Sequence, residues 1–317
     1  MFFFVFFIIL LNCSITNTKD IAYITNQESN MLDVIDLKAM KKIDELKVGM
    51  KPAGILVDQK SQRIFVANPE SNNVSILNLA IKSNKIVNSG NSPMGLALDK
   101  KFNILFVSNW YDNTITVIDL NSERIQKKIK VGKSPAGIYL DENLNKLFVA
   151  NREDNNISVI DTKTFKSIKK VQVGKAPFGI YSENYLDYVV VTNVQSNSIS
   201  IIDKEKLEVY KNFNVSDWPY SVIHNKNNNQ LYVTNQRDDS ISVIDMNKKK
   251  RISTLSNICE YPEGIDISYS ENLIVVACWF QDNIILIDLD SFKIKKKIET
   301  SGGPRAFGRF ILKKEYD

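Results

Sequence analysis

Apolar positions in this chain come in short bursts rather than in helical stripes. Across residues 137–174 the order is GIYLD, a polar turn ENLN, KLFVAN, a polar loop REDN, NISVID, a turn TKTF, and then KSIKKVQVG. The two middle bursts are nearly continuous apolar and β-branched runs, the pattern of strands buried on both faces. The last burst alternates Ile or Val with Lys, which predicts a half-exposed strand. The stretch therefore predicts four short strands joined by tight turns.

The same unit returns along the whole chain. The segments YITN, FVAN, FVSN, FVAN, VVTN and YVTN end at Asn26, Asn68, Asn109, Asn151, Asn193 and Asn235, and a seventh, VVAC, ends at Cys278. A second ladder, Pro-x-Gly or a near relative, runs through Pro52, Pro93, Pro135, Pro177, Pro219, Pro262 and Pro304. Both ladders step by 41 to 43 residues and keep one phase through seven cycles. Four-stranded units at this period predict an all-β fold, a seven-bladed β-propeller of antiparallel blades. The chain begins at Ile21 with a second strand and ends with PRAFGRFIL, which matches a first strand. A strand over Ala306 to Leu312 is therefore expected to complete the first blade beside Ala22 to Asn26 and remove the open edge.

The repeat also explains most residues that might pass for chemistry. An Asp closes the third strand at Asp36, Asp119, Asp161, Asp203, Asp245 and Asp288, with Asn78 in the second blade. Before a tight turn such a carboxylate accepts backbone N–H groups two residues on. The Asn closing each second strand is expected to do likewise for the loop that follows. The Pro presets φ, and the Gly lets neighbouring backbones approach at the central channel.

Composition adds mainly exclusions. At 44% apolar and 24% charged residues, the chain of 317 can bury a large core. One histidine, His224, argues against His-based metal sites and against haem ligation by two histidines. No C-x-x-C-H motif is present, so a redox-partner module has no support, and no cofactor or metal is expected. The net charge of +5 comes from lysines in the fourth strands and their turns, as in RIQKKIKVGK and KIKKK. Lysine there protects outer edges from pairing and makes a solvated rim, so nucleic acid is not an expected partner.

Residues 1–18 carry no charged side chain and open with MFFFVFFIILL. The run is short for a bilayer span of roughly 20 residues and fits the apolar core of an export signal. Two domains follow: 1–18 as signal peptide, and 19–317 as propeller. Cys13, directly after LLN, resembles the lipidation site of a bacterial lipoprotein signal, although Asn12 stands where a small residue is usual. Lipidation of Cys13 and plain cleavage both stay open, and an N-terminal lipid is the expected route to any membrane. Either way a periplasmic, outer-membrane-anchored or extracellular monomer is expected.

With YVTN at Tyr232 to Asn235, the chain resembles the YVTN-repeat β-propeller family over residues 19 to 317. The family includes exported bacterial and archaeal surface-layer proteins. Related propellers occur in sugar-lactone hydrolases and in a haem-binding domain of a nitrite reductase. The resemblance implies fold and export, and a binding role. Departures from the repeat lie at Cys278, at Ser221 in place of Gly, and at Ala306.

Subtracting the repeat leaves a small set on one face, where the Pro-x-Gly segments meet the loops after the second strands. It comprises Trp110, Tyr111, Arg152, Phe178, Trp218, Tyr220, Arg237, Tyr261, Glu263, Trp279, Phe280 and Arg305, and includes all three tryptophans. Exposed aromatics among arginines at a channel mouth point to a ligand or partner site. The alternative is that the rings plug the mouth and pack between blades. Cys259 and Cys278 come near one end of the same blade, where a disulfide is open to them. The leading function is a non-enzymatic binding or scaffold protein of the cell envelope, holding a small molecule, a glycan or an envelope protein. The alternative is a propeller-type lactone or ester hydrolase drawing on Glu263, Arg305, Arg152 and Glu153.

Overall fold

A computed structural model describes residues 19–313, so Cys13 and the rest of segment 1–18 lie outside the described residues. Seven antiparallel sheets follow one another along the chain. Blade 4 runs Pro135–Asp141, Lys146–Asn151, Asn156–Asp161 and Lys166–Gln172 from the axis outward. Its two middle strands are almost wholly buried and its outer strand is mostly exposed, as the apolar pattern predicts. The aromatics of the second strands, Phe65, Phe106, Phe148 and Tyr232, are among the largest fully buried side chains and pack between blades.

The Asp turns form as expected. Asp161 Oδ1 accepts from Lys163 N at 2.9 Å and Thr164 N at 2.7 Å, and Asp203 repeats this with Glu205 N and Lys206 N. Gly at the channel is also explained. A Cβ on Gly179 would sit 2.3 Å from Tyr220 O in the next blade, and one on Gly137 2.5 Å from Phe178 O.

The Asn at the end of each second strand behaves differently from expectation. Asn151 Nδ2 reaches across to Asn156 Oδ1 and Ser158 Oγ on the third strand, both at 2.8 Å, while its Oδ1 accepts from Gly132 N at 3.0 Å. Asn68 and Asn109 hold Gly49 N and Gly90 N in the same way. The side chain thus clasps the segment that arrives from the preceding blade. It does so because it points into the sheet, fully buried, where those donors and acceptors need partners.

Closure also departs in detail. Ile311–Leu312 pair with Ile21 and Ala22, and Pro304 bridges Asn26, completing blade 1 at both ends of its first strand. Phe307–Arg309 instead run parallel to Gly54–Asp58 of blade 2, making that sheet five-stranded. Two extra residues after Pro304 carry the chain across, and Gly308, at φ +134°, passes where a Cβ would lie 2.1 Å from Ile55 O. The strap is held by Asp266, whose Oδ2 accepts from Phe310 N and Ile311 N, while its Oδ1 pairs with Arg309 Nε at 3.2 Å.

Candidate functional site

Each side chain of the face is aimed by a backbone device that recurs blade by blade. The residue before every ladder Pro lies in the left-handed region: Lys51, Ser92, Ser134, Ala176, Trp218 at φ 56°, Tyr261 at φ 59°, and Gly303. That conformation is costly for a large side chain. It is held because the N–H of Trp218 is taken by Asn197 Oδ1 at 3.2 Å, and that of Tyr261 by Asp239 Oδ1 at 3.0 Å. The loop Asn or Asp of one blade thereby fixes the rim residue of the next.

The rim side chains surround a funnel of about 610 Å³ at the channel mouth. Eleven of the twelve predicted residues line it, and Arg237 lies behind Trp218, its guanidinium 3.5 Å from the ring centre. Trp110, Trp218, Tyr261 and Trp279 are half-buried, and Tyr111 and Phe280 are exposed. Tyr261, Trp279 and Phe280 form one cluster, with Tyr261–Phe280 centroids 4.9 Å apart and Trp279–Phe280 4.6 Å apart.

Phe178 and Tyr220 are not exposed, contrary to the expectation for this face, being only 6% and 4% accessible. Their rings stack 4.5 Å apart and meet Phe307 of the strap at 4.9 and 5.5 Å. These three close the axis, as the plugging alternative expects of them, while the remaining rings stand part-exposed around the mouth. Below the plug a second cavity of about 320 Å³ opens to the opposite mouth.

The funnel floor is a closed polar network. Arg305 Nε donates to Glu263 Oε2 at 2.6 Å and Nη2 to Glu263 Oε1 at 3.1 Å, while Gln236 Nε2 donates to the same Oε1 at 2.8 Å. Arg305 Nη2 also donates to Tyr220 Oη at 2.6 Å. Burial pushes the Glu263 carboxyl above its ordinary value, and Arg305 pulls against it. At Arg305 burial acts downward, but Glu263 and Tyr220 outweigh it and the guanidinium is raised. Both shifts are upward: burial opposes charge on the carboxyl, whereas the attraction of Glu263 favours charge on the guanidinium. Burial raises the Tyr220 phenol too, so it stays a neutral donor and acceptor. Glu153 lies outside the funnel lining, and no group of three or more His, Cys, Asp or Glu able to hold a metal occurs among the described residues.

Cys259 and Cys278 are joined in a disulfide with Cα atoms 5.8 Å apart. They stand where the other blades place the clasp, Cys278 at the Asn position and Cys259 at that of Gly49, Gly90, Gly132 and Gly174, three residues before the ladder Pro. A Cβ on Gly49 would meet the Asn68 side chain at 2.6 Å, so a side chain at this position displaces the Asn or bonds to its replacement. The bridge anchors Trp279, the residue after Cys278, and Tyr261, two residues after Cys259.

Sequence reasoning missed the opposite mouth. Lys204, 3% exposed, pairs with the equally buried Asp141 at 2.8 Å and donates to Tyr139 Oη and Glu183 O. Glu183 accepts from Tyr181 Oη at 2.9 Å and pairs with Arg309. The signal was the segment SENYLD at residues 182–187, where Glu183 replaces the Asp that ends the first strands at Asp58, Asp99 and Asp141, and Ser182 replaces the apolar residue before it. His224, deep along a first strand, is held by Tyr185 Oη and Asn229 Oδ1, and burial lowers its pKa.

No protein-family model matches the chain, and no curated protein matches it in sequence. Solved structures match in fold. A functionally unknown protein from Desulfotomaculum acetoxidans DSM 771 superposes with a TM-score of 0.78 at 11% identity, over 90% of this chain and 98% of that one. Kuenenia stuttgartiensis hydrazine synthase gives 0.73 at 17% identity, over 83% and 92%. The dihydro-heme d1 dehydrogenase NirN in complex with DHE gives 0.68 at 10% identity, over 90% and 74%. These similarities establish the propeller fold.

Proposed function

We propose that this chain is a non-enzymatic binding protein of the cell envelope, a member of the YVTN-repeat propellers, that holds its ligand in the aromatic funnel. The observation that carries the reading is that all three tryptophans, with Tyr261 and Phe280, stand part-exposed around one cavity of about 610 Å³. Trp and Tyr, apolar in body and polar at the tip, suit half-wet interfaces, and a cluster of them exposed beside Phe280 suits an interaction site. Export through residues 1–18, with or without a lipid on Cys13, is part of the proposal, as is a monomeric state. A small molecule or a glycan suits a concave funnel better than a flat partner.

The hydrolase alternative draws less support. It needs a carboxylate free to move a proton, and Glu263 is tied to Arg305 and Gln236 beneath the rings. A thermal-shift and native-mass screen of envelope metabolites and glycans, repeated with Trp218→Ala and Trp279→Ala, tests the binding reading. Stabilising hits that both variants abolish are expected; hits that survive in both would place the ligand elsewhere.

A further inference from the structure

The charges around the funnel point to the class of ligand, an inference that rests on the binding reading above. Three charged side chains line the cavity: Arg152, Arg305 and Glu263. Arg305 and Glu263 neutralise each other on the floor. Arg152 has no carboxylate partner and no side-chain hydrogen bond among the described residues; it lies over Trp110 at 5.8 Å. Arg237, just behind the wall, is likewise unpartnered and lies over Trp218 at 3.5 Å. On opposite parts of the rim, then, an indole carries a guanidinium with its N–H edge unused.

Stacking fixes the plane of an Arg side chain and lowers the conformational cost of its next hydrogen bonds. What its free edge accepts best is a planar anion, bound by paired charge-assisted hydrogen bonds. The same arrangement disfavours an organic cation, because guanidinium groups already occupy the faces of Trp110, Trp218 and, through Arg305 at 5.5 Å, Tyr220. The rim does carry carboxylates: Asp112 accepts from Asn91 N, Asp154 from Lys133 N, Asp239 from Tyr261 N and Asp282 from Gly303 N, while Glu28, Glu70, Glu153 and Glu260 stand exposed on the same loops. Long-range attraction of anions is therefore weak, and selection falls to contact at the two stacked arginines. The remaining faces of Tyr261, Trp279 and Phe280 offer apolar surface for a ring.

We propose that the funnel binds a ring-bearing organic anion, its carboxylate held by Arg152 or Arg237 and its ring laid on the neighbouring aromatics. Such a ligand has two sources, an aromatic acid or an acidic sugar, and the test separates them. Calorimetric titration of the protein would use 2-naphthoate against 2-naphthylmethanol and 2-naphthylmethylammonium, and digalacturonate against neutral digalactose. The expected result is at least tenfold tighter binding of an acid than of its neutral counterpart, in whichever arm is the true source. Arg152→Gln and Arg237→Gln should remove that preference in one or both variants without moving the melting temperature by more than about a degree. Equal binding of acid and neutral probe, or tighter binding of the ammonium probe, overturns the anion assignment. If Trp218→Ala then abolishes the neutral probe's binding, the funnel remains the site and only the ligand class falls. Absence of binding by every probe at millimolar concentration overturns both.

Discussion

If the disulfide of blade 7 is a local substitute for the Asn clasp of the other blades, restoring the clasp should rescue its loss. The perturbation is a pair of double variants, Cys259→Ala/Cys278→Ala and Cys259→Gly/Cys278→Asn. The bridge closes a segment of 19 residues, which corresponds to about 3 kcal/mol of restricted unfolded-chain entropy. For a chain of this size that is about 6 °C in melting temperature, which the Ala pair should lose. In the Gly/Asn pair the new Oδ1 meets the N–H of residue 259 as Asn151 meets Gly132, and the new Nδ2 meets Asn283 Oδ1. That oxygen is buried and without a partner at present, and it stands where Asn156 accepts from Asn151. Two buried hydrogen bonds at about 1 kcal/mol each return about 4 °C, less a part for the flexibility of Gly. Cys259→Ala/Cys278→Asn is the control. Asn26 and Asn235 face Ser301 and Ser216, and there the Asn Oδ1 is left unpaired; that of Asn193, which faces Gly174, is unpaired too, so Gly makes room for the bond without securing it. An Ala at 259 should block the bond in the same way and give no rescue. Scanning calorimetry of the three oxidised-buffer samples decides it. Equal melting temperatures for the Gly/Asn and Ala/Asn variants would refute the equivalence of bridge and clasp.

Three further outcomes are expected. Asp266→Ala strands the N–H groups of Phe310 and Ile311 and leaves Arg309 paired with Glu183 alone, and should cost about 3 kcal/mol, read as a denaturation midpoint shift. Asp266→Asn, which keeps an acceptor for the two N–H groups, should cost less. Arg305→Met leaves Glu263 buried without its cation; its pKa, already raised, should rise further. A raised carboxyl contributes stability below its unfolded value and loses it as pH rises, so this variant should melt closer to wild type at pH 5 than at pH 8. Asp119, Asp161 and Asp245 are held below the ordinary carboxylate range chiefly by backbone N–H donors, and Asp288 first by Lys295. Depressed carboxyls give stability above the unfolded value of about 3.9, so the melting temperature should fall steeply below about pH 4, with several protons taken up on unfolding. A flat profile from pH 5 to pH 2 would contradict the role of the repeated turns.

The fold was legible because burial in a blade is strictly periodic. Apolar bursts, turn Asp and channel Gly each answer a constraint that returns every 42 residues or so, and repetition separates them from accident. The funnel was legible as what remained. Its depth was not, since whether Phe178 or Tyr220 faces solvent depends on Phe307, which arrives from the far end of the chain. The clasp was hidden for a related reason: Asn151 and Gly132 are partners only because neighbouring blades abut. The Gly column three residues before four of the seven ladder prolines was there to be read, and with it the reason for Cys259. At the opposite mouth, Lys204 and Asp141 are paired across a blade interface, with no spacing rule in the sequence to announce it.

The strap that ends the chain has a consequence for the order of events during synthesis. It supplies Ile311 and Leu312 to the first blade, Phe307 to the axial plug, and Arg305 to the floor of the funnel. A growing polypeptide that has made its first six blades therefore has a channel without a stopper and a Glu263 still to come, let alone a cation to pair with it. The floor of the funnel is completed only after its wall. A partly made or C-terminally clipped chain would lack that floor and the plug beneath it, so a closed funnel marks a ring that has been finished.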